Sequence, residues 1–82
     1  MRTDASVWLE RWFAKRSPHI ALQAGDNFFE REAIDSFGVI ELIEDTEQHF
    51  NVRFTERDFQ DRRFSTIEGL SEIIDAKKTD GR

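Results

Sequence analysis

The stretch from Asp35 to Phe50 constrains the fold most, because it has the pattern of one complete amphipathic helix. Asp35 is a favourable residue for the N-cap of a helix. On a helical wheel, one side of the following segment is apolar and is expected to face a core. That side comprises Val39, Leu42, Ile43, Thr46 and Phe50. The sequence therefore predicts a helix from Ser36 to about Phe50.

The first segment of the chain also has a helical pattern. Residues 4–16 repeat large apolar side chains at four-residue spacing, which places them on one stripe of a helix. The repeats are Trp8 with Trp12 and Leu9 with Phe13. Ser17-Pro18 is expected to end this helix, since the residue before a proline avoids helical angles.

The last third of the chain predicts a short helix and a longer one. The short helix covers residues 55–60, with Thr55 as its cap, and Asp61-Arg62-Arg63 is expected to form a charged break after it. Ser65-Thr66-Ile67-Glu68 matches a capping box, so the final helix is expected to begin at Ser65. It should continue to about residue 78, and residues 79–82 are expected to fray.

The segment between the first two helices is long but too apolar for a free linker. Gly25-Asp26-Asn27 within it is a turn signal. Its apolar residues are expected to pack over the bundle and to keep the segment ordered. They are Ile20, Leu22, Phe28, Phe29 and Ile34. Together these patterns predict an all-α fold over residues 1–82, a single-domain four-helix bundle with three main helices, one short helix and a long ordered first loop.

Length and composition narrow the classes of function. Eighty-two residues can build one modest core, and the lack of Cys excludes disulfides, thiolate metal sites and a cysteine nucleophile. No apolar run approaches the roughly 20 residues that span a bilayer. Residues 1–10 also lack the pattern of a secretory signal. We therefore expect a cytoplasmic, monomeric protein without a membrane segment.

Charge is unevenly distributed along the chain. Between Asp26 and Phe50 there are eight acids and one base, Arg31, in a chain of net charge −5. An acidic segment of this kind would repel phosphates, so we expect no nucleic-acid surface there, and it favours a partner with a basic patch. The alternative is that the acids only solvate a helix face.

The outward side of the Ser36–Phe50 helix combines acids with two apolar side chains. Its residues are Phe37, Ile40, Glu41, Glu44, Glu47 and Gln48. Exposed apolar side chains that are ringed by acids and lie next to a serine are typical of a docking surface. The alternative, which the sequence leaves open, is that Phe37 and Ile40 fold under the preceding loop.

The parts of a self-contained enzyme are missing from the sequence. His49 lies thirteen residues after Ser36, roughly 20 Å along the same helix, and belongs to the core-side arc of the wheel. It therefore cannot act as a base for Ser36. His19 has no evident third group to orient it. There is no Gly-rich phosphate loop and no metal-ligand cluster, so no metal site is predicted.

Ser36 is the most suggestive hydroxyl in the chain. It lies in the first turn of a helix, where free backbone N–H groups and the helix dipole favour an attached phosphate. A phosphodiester at this position needs no nearby cation. On this reasoning Ser36 is a residue that another enzyme modifies, and the alternative is an ordinary serine at a helix start.

The same residues resemble those of acyl carrier proteins. The resemblance rests on Asp35-Ser36-Phe37-Gly38-Val39-Ile40-Glu41-Leu42-Ile43, with Phe50 closing the helix and Phe64-Ser65-Thr66-Ile67 opening the last one, and it covers nearly the whole chain. The Asp-Ser-Leu of the family is Asp-Ser-Phe-Gly here, and Gly38 stands where fatty-acid carriers often have Asp. Residues 27–38 are more similar to D-alanyl and other aminoacyl carriers.

The resemblance implies a function without catalysis by the chain itself. Ser36 would carry 4′-phosphopantetheine, added from coenzyme A by a magnesium-dependent phosphopantetheinyl transferase, and the arm would hold an acyl or aminoacyl group as a thioester. Asp35 would cap the helix and help the transferase to recognise the site. An adenylating ligase or acyltransferase would load the arm, and a condensing or transfer enzyme would unload it. The residues that would face these partners are Phe37, Ile40, Glu41, Glu44 and Glu47.

Two other functions remain as alternatives. The first is an unmodified helical adaptor that binds a partner through Phe37 and Ile40. The second is a small hydrolase built on Ser36. The spacing of His19 is compatible with a base for it, although no third group to orient this histidine is evident.

Overall fold

Residues 3–80 fold into four α-helices and one 3₁₀ turn. The computed structural model describes residues 3–80, with side chains through residue 78. The helices are α1 (Asp4–Arg16), α2 (Ser36–Phe50), α3 (Glu56–Gln60) and α4 (Ile67–Asp80), and the 3₁₀ turn spans Arg62–Ser65. The all-α bundle expected from the sequence is confirmed for this part of the chain. No helix in it has both the length and the apolar character needed to cross a membrane.

Side-chain caps explain where the first three helices begin. Thr3 Oγ1 accepts a hydrogen bond from the N–H of Ser6, and Asp35 Oδ1 accepts one from the N–H of Gly38 at 2.7 Å. Thr55 and Asp58 bond each other's backbone N–H groups at the start of α3. Each cap satisfies N–H groups that have no partner inside the helix.

The start of α4 differs from the prediction by two residues. Thr66 is the residue whose hydroxyl accepts the N–H of Gly69, at 2.9 Å, and the helix begins at Ile67. Ser65 instead ends the 3₁₀ turn and donates its hydroxyl to the carbonyl of Arg62. The expected break at residues 61–63 is partly ordered, because Asp61 accepts the N–H of Arg63 and caps this turn.

The end of α4 also differs from the prediction. The helix continues to Asp80, so helical backbone extends into the segment that was expected to fray. Residues 81 and 82 lie outside the described part of the chain.

The core lies between α1, α4, α2 and the loop that precedes α2. Phe28 in that loop is fully buried, and its N–H donates to the carbonyl of Ser65 at 2.9 Å, so the loop is ordered as expected. Its neighbour Phe29 is 42% exposed, which contradicts the expectation that both rings are covered. The largest fully buried side chains are Phe28, Leu9, Leu42, Ile67, Leu70, Ile74 and Thr46.

Helix α4 crosses the 3₁₀ turn at a glycine. A Cβ on residue 69 would lie 2.4 Å from the carbonyl oxygen of Arg63 and 2.6 Å from its Cα. No real Cβ contact is that short, and backbone atoms cannot move aside as a side chain can. Gly69 is therefore needed for α4 to approach the 3₁₀ turn, although glycine costs a helix about 1 kcal/mol relative to alanine.

Helices α1 and α2 are joined by a row of side-chain contacts that we call the α1–α2 seam. The pairs are Arg16 with Glu41, Trp12 with Asp45, and Trp8 with His49. Along the row the residue number falls by four in α1 and rises by four in α2, so the helices run antiparallel. His49 is exposed in this row and stacks on Trp8 with ring centroids 5.1 Å apart, which corrects its predicted place on the core side.

Candidate functional site

Ser36 is the first residue of α2, and its side chain is exposed. Its hydroxyl has no hydrogen-bond partner among the described residues. Within the same part of the chain, the backbone N–H groups of Ser36 and Phe37 also have no acceptor. Asp35 accepts the next two N–H groups instead, that of Gly38 with its side chain and that of Val39 with its carbonyl. The serine therefore presents a free hydroxyl beside two free N–H groups.

The field at this position suits a phosphodiester. The aligned peptides of a helix place about half a positive charge at its N-terminus. The carboxylate of Asp35 is bonded to the first turn at 2.7 Å from the Gly38 nitrogen, so it fixes the helix start. The oxygens of a phosphate ester on Ser36 could accept hydrogen bonds from the two free N–H groups. The residues present therefore fit a covalently attached phosphopantetheine group.

The outward side of α2 next to Ser36 is open. Phe37 is 78% exposed and Ile40 is 55% exposed. The alternative that the preceding loop covers these two side chains is therefore wrong. Two large apolar groups in contact with solvent, one turn apart and adjacent to Ser36, form a surface that a partner protein could cover.

The three acids that were predicted to face partners are not equivalent. Glu44 is exposed and has no ion-pair partner among the described residues. Glu41 forms an ion pair with Arg16 across the α1–α2 seam. Glu47 is half-buried, and its Oε2 accepts the N–H of Phe54 at 2.9 Å, so this carboxylate supports the link after α2 instead of pointing freely outward.

The described part of the chain does not place a base or a metal site beside Ser36. His49 is at the other end of α2 and stacks on Trp8, so it cannot reach the hydroxyl. His19 is an exposed loop residue. The described residues contain no group of three or more His, Cys, Asp or Glu that could hold a metal ion. Nothing in this geometry supports hydrolysis by Ser36.

An apolar groove of about 330 Å³ on the other flank of α2 was not anticipated. Its lining residues are Phe29, Val39, Ile43, Phe59, Phe64, Asp61 and Ser65. Phe29 and Phe59 are both partly exposed at this groove. The signal for this groove in the sequence is Phe29 in the loop before α2 and Phe59 in the five-residue α3, because polar residues would be sufficient at both positions.

A partly buried ion pair joins α3 to α4. Lys77 Nζ lies 2.6 Å from Asp58 Oδ2. Burial raises the pKa of Asp58, but hydrogen bonds from Lys77 and Thr55 and the charge of Lys77 outweigh it, so the pKa lies below its usual value. The Asp58 carboxylate therefore remains ionised at neutral pH, and its contact with Lys77 holds the short helix in place.

Comparison with known families agrees with this site. The family model described as a phosphopantetheine attachment site matches residues 10–74, well over half of the chain. Searches of curated proteins and of solved structures give no match. Domains of this family are non-catalytic carriers, and a serine in them is the attachment point of 4′-phosphopantetheine. From its fold, its exposed serine at a helix start and this match, the chain belongs to the phosphopantetheine-binding carrier family of acyl carrier proteins.

Proposed function

We propose that Ser36 is the serine that carries 4′-phosphopantetheine. The chain has five serines, and the other four have hydroxyls engaged with backbone carbonyls. The acceptors are Thr3 for Ser6, Ala33 for Ser17, Arg62 for Ser65 and Glu68 for Ser71. Ser36 alone among them has an exposed hydroxyl without a partner in residues 3–80. This difference is the observation that carries the proposal.

The attachment is a phosphoryl transfer that a separate enzyme performs. The Ser36 oxygen forms a new bond to the phosphorus of the phosphopantetheine unit of coenzyme A, the bond from that phosphorus to the bridging oxygen breaks, and 3′,5′-ADP leaves. The hydroxyl proton passes to a base of the phosphopantetheinyl transferase. The contribution of this chain is to fix Ser36 at the helix start through Asp35, whose side chain accepts the Gly38 N–H.

The modified chain would work as a freestanding carrier. The group supplies a thiol that the cysteine-free chain lacks, and an acyl or aminoacyl cargo is held on it as a thioester. Partners in the cytoplasm would be a transferase, an adenylating ligase or acyltransferase that loads the arm, and a condensing or transfer enzyme. An aminoacyl or short specialised acyl cargo is supported by Gly38 and by the resemblance of residues 27–38 to aminoacyl carriers.

Intact-mass measurement tests the assignment. Purified protein is incubated with coenzyme A, Mg²⁺ and a phosphopantetheinyl transferase. The expected result is a mass increase of one phosphopantetheine group in the wild type and in Ser65→Ala, and none in Ser36→Ala. Ser65→Ala is the matched control because it also removes a hydroxyl close to a helix start. An unmodified wild type, or a modified Ser36→Ala, would contradict the proposal.

The exposed Phe37 also fits the rival function, an unmodified adaptor. For an adaptor, Ser36→Ala would leave biological activity intact and Phe37→Ala would abolish it. For a carrier, Ser36→Ala abolishes activity entirely, whereas Phe37→Ala lowers the rate at which partners use it. Comparing the two variants in a strain that depends on the protein separates these functions, and the family match favours the carrier.

A further inference from the structure

Gly38 is covered by the end of α1. The residue is buried, and a Cβ there would lie 2.7 Å from Ile34 Cγ1 and 3.0 Å from the Nε of Arg16. The guanidinium of Arg16 therefore lies directly against the first turn of α2, in space that a side chain on residue 38 would need. A side chain on residue 38 would therefore have to displace Ile34 or Arg16, so the glycine and this placement of Arg16 depend on each other.

Three contacts hold Arg16 in this place. Besides packing on Gly38, it forms an ion pair with Glu41, and its Cζ lies 5.2 Å from the centre of the Trp12 ring. Guanidinium groups stack favourably on tryptophan faces. A single exposed ion pair would be weak by itself. The stacking and the fit against Gly38 restrict the side chain further and so keep the guanidinium beside Glu41.

The consequence is a docking surface with less charge than the sequence indicates. Glu41 is on the outward side of α2, one turn after Phe37, but its charge is balanced by Arg16. The bond from the N–H of Phe54 does not cancel the charge of Glu47, but it turns this half-buried carboxylate toward the link after α2, on the far edge of the surface. Beside the exposed Phe37 and Ile40, Glu44 is the one acid of the predicted partner-facing set without an internal partner among the described residues.

We propose that Arg16 neutralises Glu41 and thereby sets which partners this carrier accepts. The proposal rests on the carrier function proposed above. The partner that fits is an enzyme surface with an apolar pocket for Phe37 and few cations. Enzymes that rely on a dense basic patch are disfavoured, because a neutral Arg16–Glu41 pair offers little attraction to such a patch. Gly38 is part of this arrangement, since it leaves room for the guanidinium.

A four-protein cycle tests the neutralisation. The proteins are the wild type, Arg16→Gln, Glu41→Gln and the double variant. The measurement is kcat/KM for transfer of phosphopantetheine from coenzyme A by a transferase with a basic docking surface, at increasing NaCl. Arg16→Gln should raise kcat/KM about two- to fivefold at low salt, and Glu41→Gln should lower it by a similar factor. The double variant should match the wild type, and all four should converge at high salt.

Controls separate this effect from changes in net charge and in folding. Arg11→Gln makes the same charge change on an exposed part of α1 away from Glu41 and should alter kcat/KM much less than Arg16→Gln. Phe37→Ala should lower kcat/KM about tenfold at every salt concentration, as expected for an apolar anchor. Thermal unfolding of each variant confirms that it is folded before its kinetics are compared.

The outcomes that contradict the proposal are specific. If the double variant is as slow as Glu41→Gln, Glu41 contacts the partner directly and Arg16 does not neutralise it. If Arg16→Gln equals the wild type at low salt, Arg16 has no influence on docking. In both cases the carrier function stands, because transfer still occurs. If no transfer to the wild type occurs at all, the function proposed for Ser36 fails instead.

Discussion

Helices α2 and α4 begin with the same local arrangement. At the start of α2, Asp35 Oδ1 accepts the N–H of Gly38 at 2.7 Å, and at the start of α4, Thr66 Oγ1 accepts the N–H of Gly69 at 2.9 Å. In each case a polar cap is followed three residues later by a glycine. The caps of the two helices are therefore nearly identical, but the second N–H of each helix differs. That of Glu68 in α4 donates to the carbonyl of Ala24 at 2.9 Å, whereas that of Phe37 in α2 has no acceptor among the described residues.

The surroundings of the two helix starts are opposite. Ser36 follows the first cap and is exposed, whereas Ile67 follows the second and is almost fully buried. Gly38 contacts side chains, and Gly69 contacts the backbone of Arg63. Local sequence therefore decides where a helix begins, and packing decides whether that beginning is part of the core or is available to other proteins.

Adding one methyl group at each glycine should give the largest measured difference between the two starts. Gly69→Ala forces a Cβ to 2.4 Å from a carbonyl oxygen and should lower the free energy of unfolding by about 3 kcal/mol. Gly38→Ala meets movable side chains and should cost at most about 1 kcal/mol, since the gain in helix propensity offsets part of the strain. Urea unfolding measures both.

Gly25→Ala is the control for this pair, because nothing lies within 4 Å of a Cβ at that position. Its free energy of unfolding should stay within about 0.5 kcal/mol of the wild type. Equal losses for Gly38→Ala and Gly69→Ala would remove the proposed distinction between side-chain and backbone contacts.

Removing the caps of α2 and α4 should lower stability equally, but only removal of the α2 cap should affect phosphopantetheine transfer. Asp35→Ala and Thr66→Ala each delete one accepted hydrogen bond and should each lower the free energy of unfolding by about 1 kcal/mol. Asp35→Ala should also slow phosphopantetheine transfer to Ser36, because the helix start is then less fixed. Thr66→Ala should transfer at the wild-type rate. An equal decrease in the transfer rate of both variants would show that the loss of stability alone slows the transfer.

Lowering the pH should weaken the contact between α3 and α4 through protonation of Asp58. Its pKa in the folded protein lies below the ordinary value of 3.8, because hydrogen bonds from Lys77 and Thr55 outweigh the effect of burial. A lowered pKa stabilises the fold above about pH 3.8, and this contribution is lost as pH falls through the folded-state pKa. Asp58→Asn should therefore be less stable than the wild type at pH 7, and the difference should shrink toward pH 2.

The free energy of unfolding across this pH range provides the measurement. A difference between Asp58→Asn and wild type that stays constant with pH would mean that the Lys77 contact contributes through packing rather than through charge.

Much of the fold could be predicted because its determinants are local. Asp35 and Thr55 cap helices through bonds to residues three positions away, and proline after Ser17 stops α1. The choice between Ser65 and Thr66 as cap was not local. Both are suitable residues, and the decision depends on the 3₁₀ turn, where Ser65 bonds the carbonyl of Arg62 while its own carbonyl accepts the N–H of Phe28.

The site itself was only partly predictable. The family resemblance and the helix start indicated Ser36, but the sequence could not show that the other serines are engaged. The helical periodicity of α2 also places Glu41, Glu44 and Glu47 together as outward acids and does not distinguish them. Their difference comes from Arg16 on another helix and from the backbone of Phe54 beyond the end of α2, and periodicity within α2 contains no information about either.

The α1–α2 seam gives the molecule a built-in optical reporter. Trp8 and Trp12, the only tryptophans in the chain, both contact α2, one through the His49 ring and the other through the Asp45 carboxylate. Indole emission responds to the polarity and hydrogen bonding around the ring. A partner that shifts α2 relative to α1 would therefore change the emission of unlabelled protein, and docking can be followed in real time without attaching a dye.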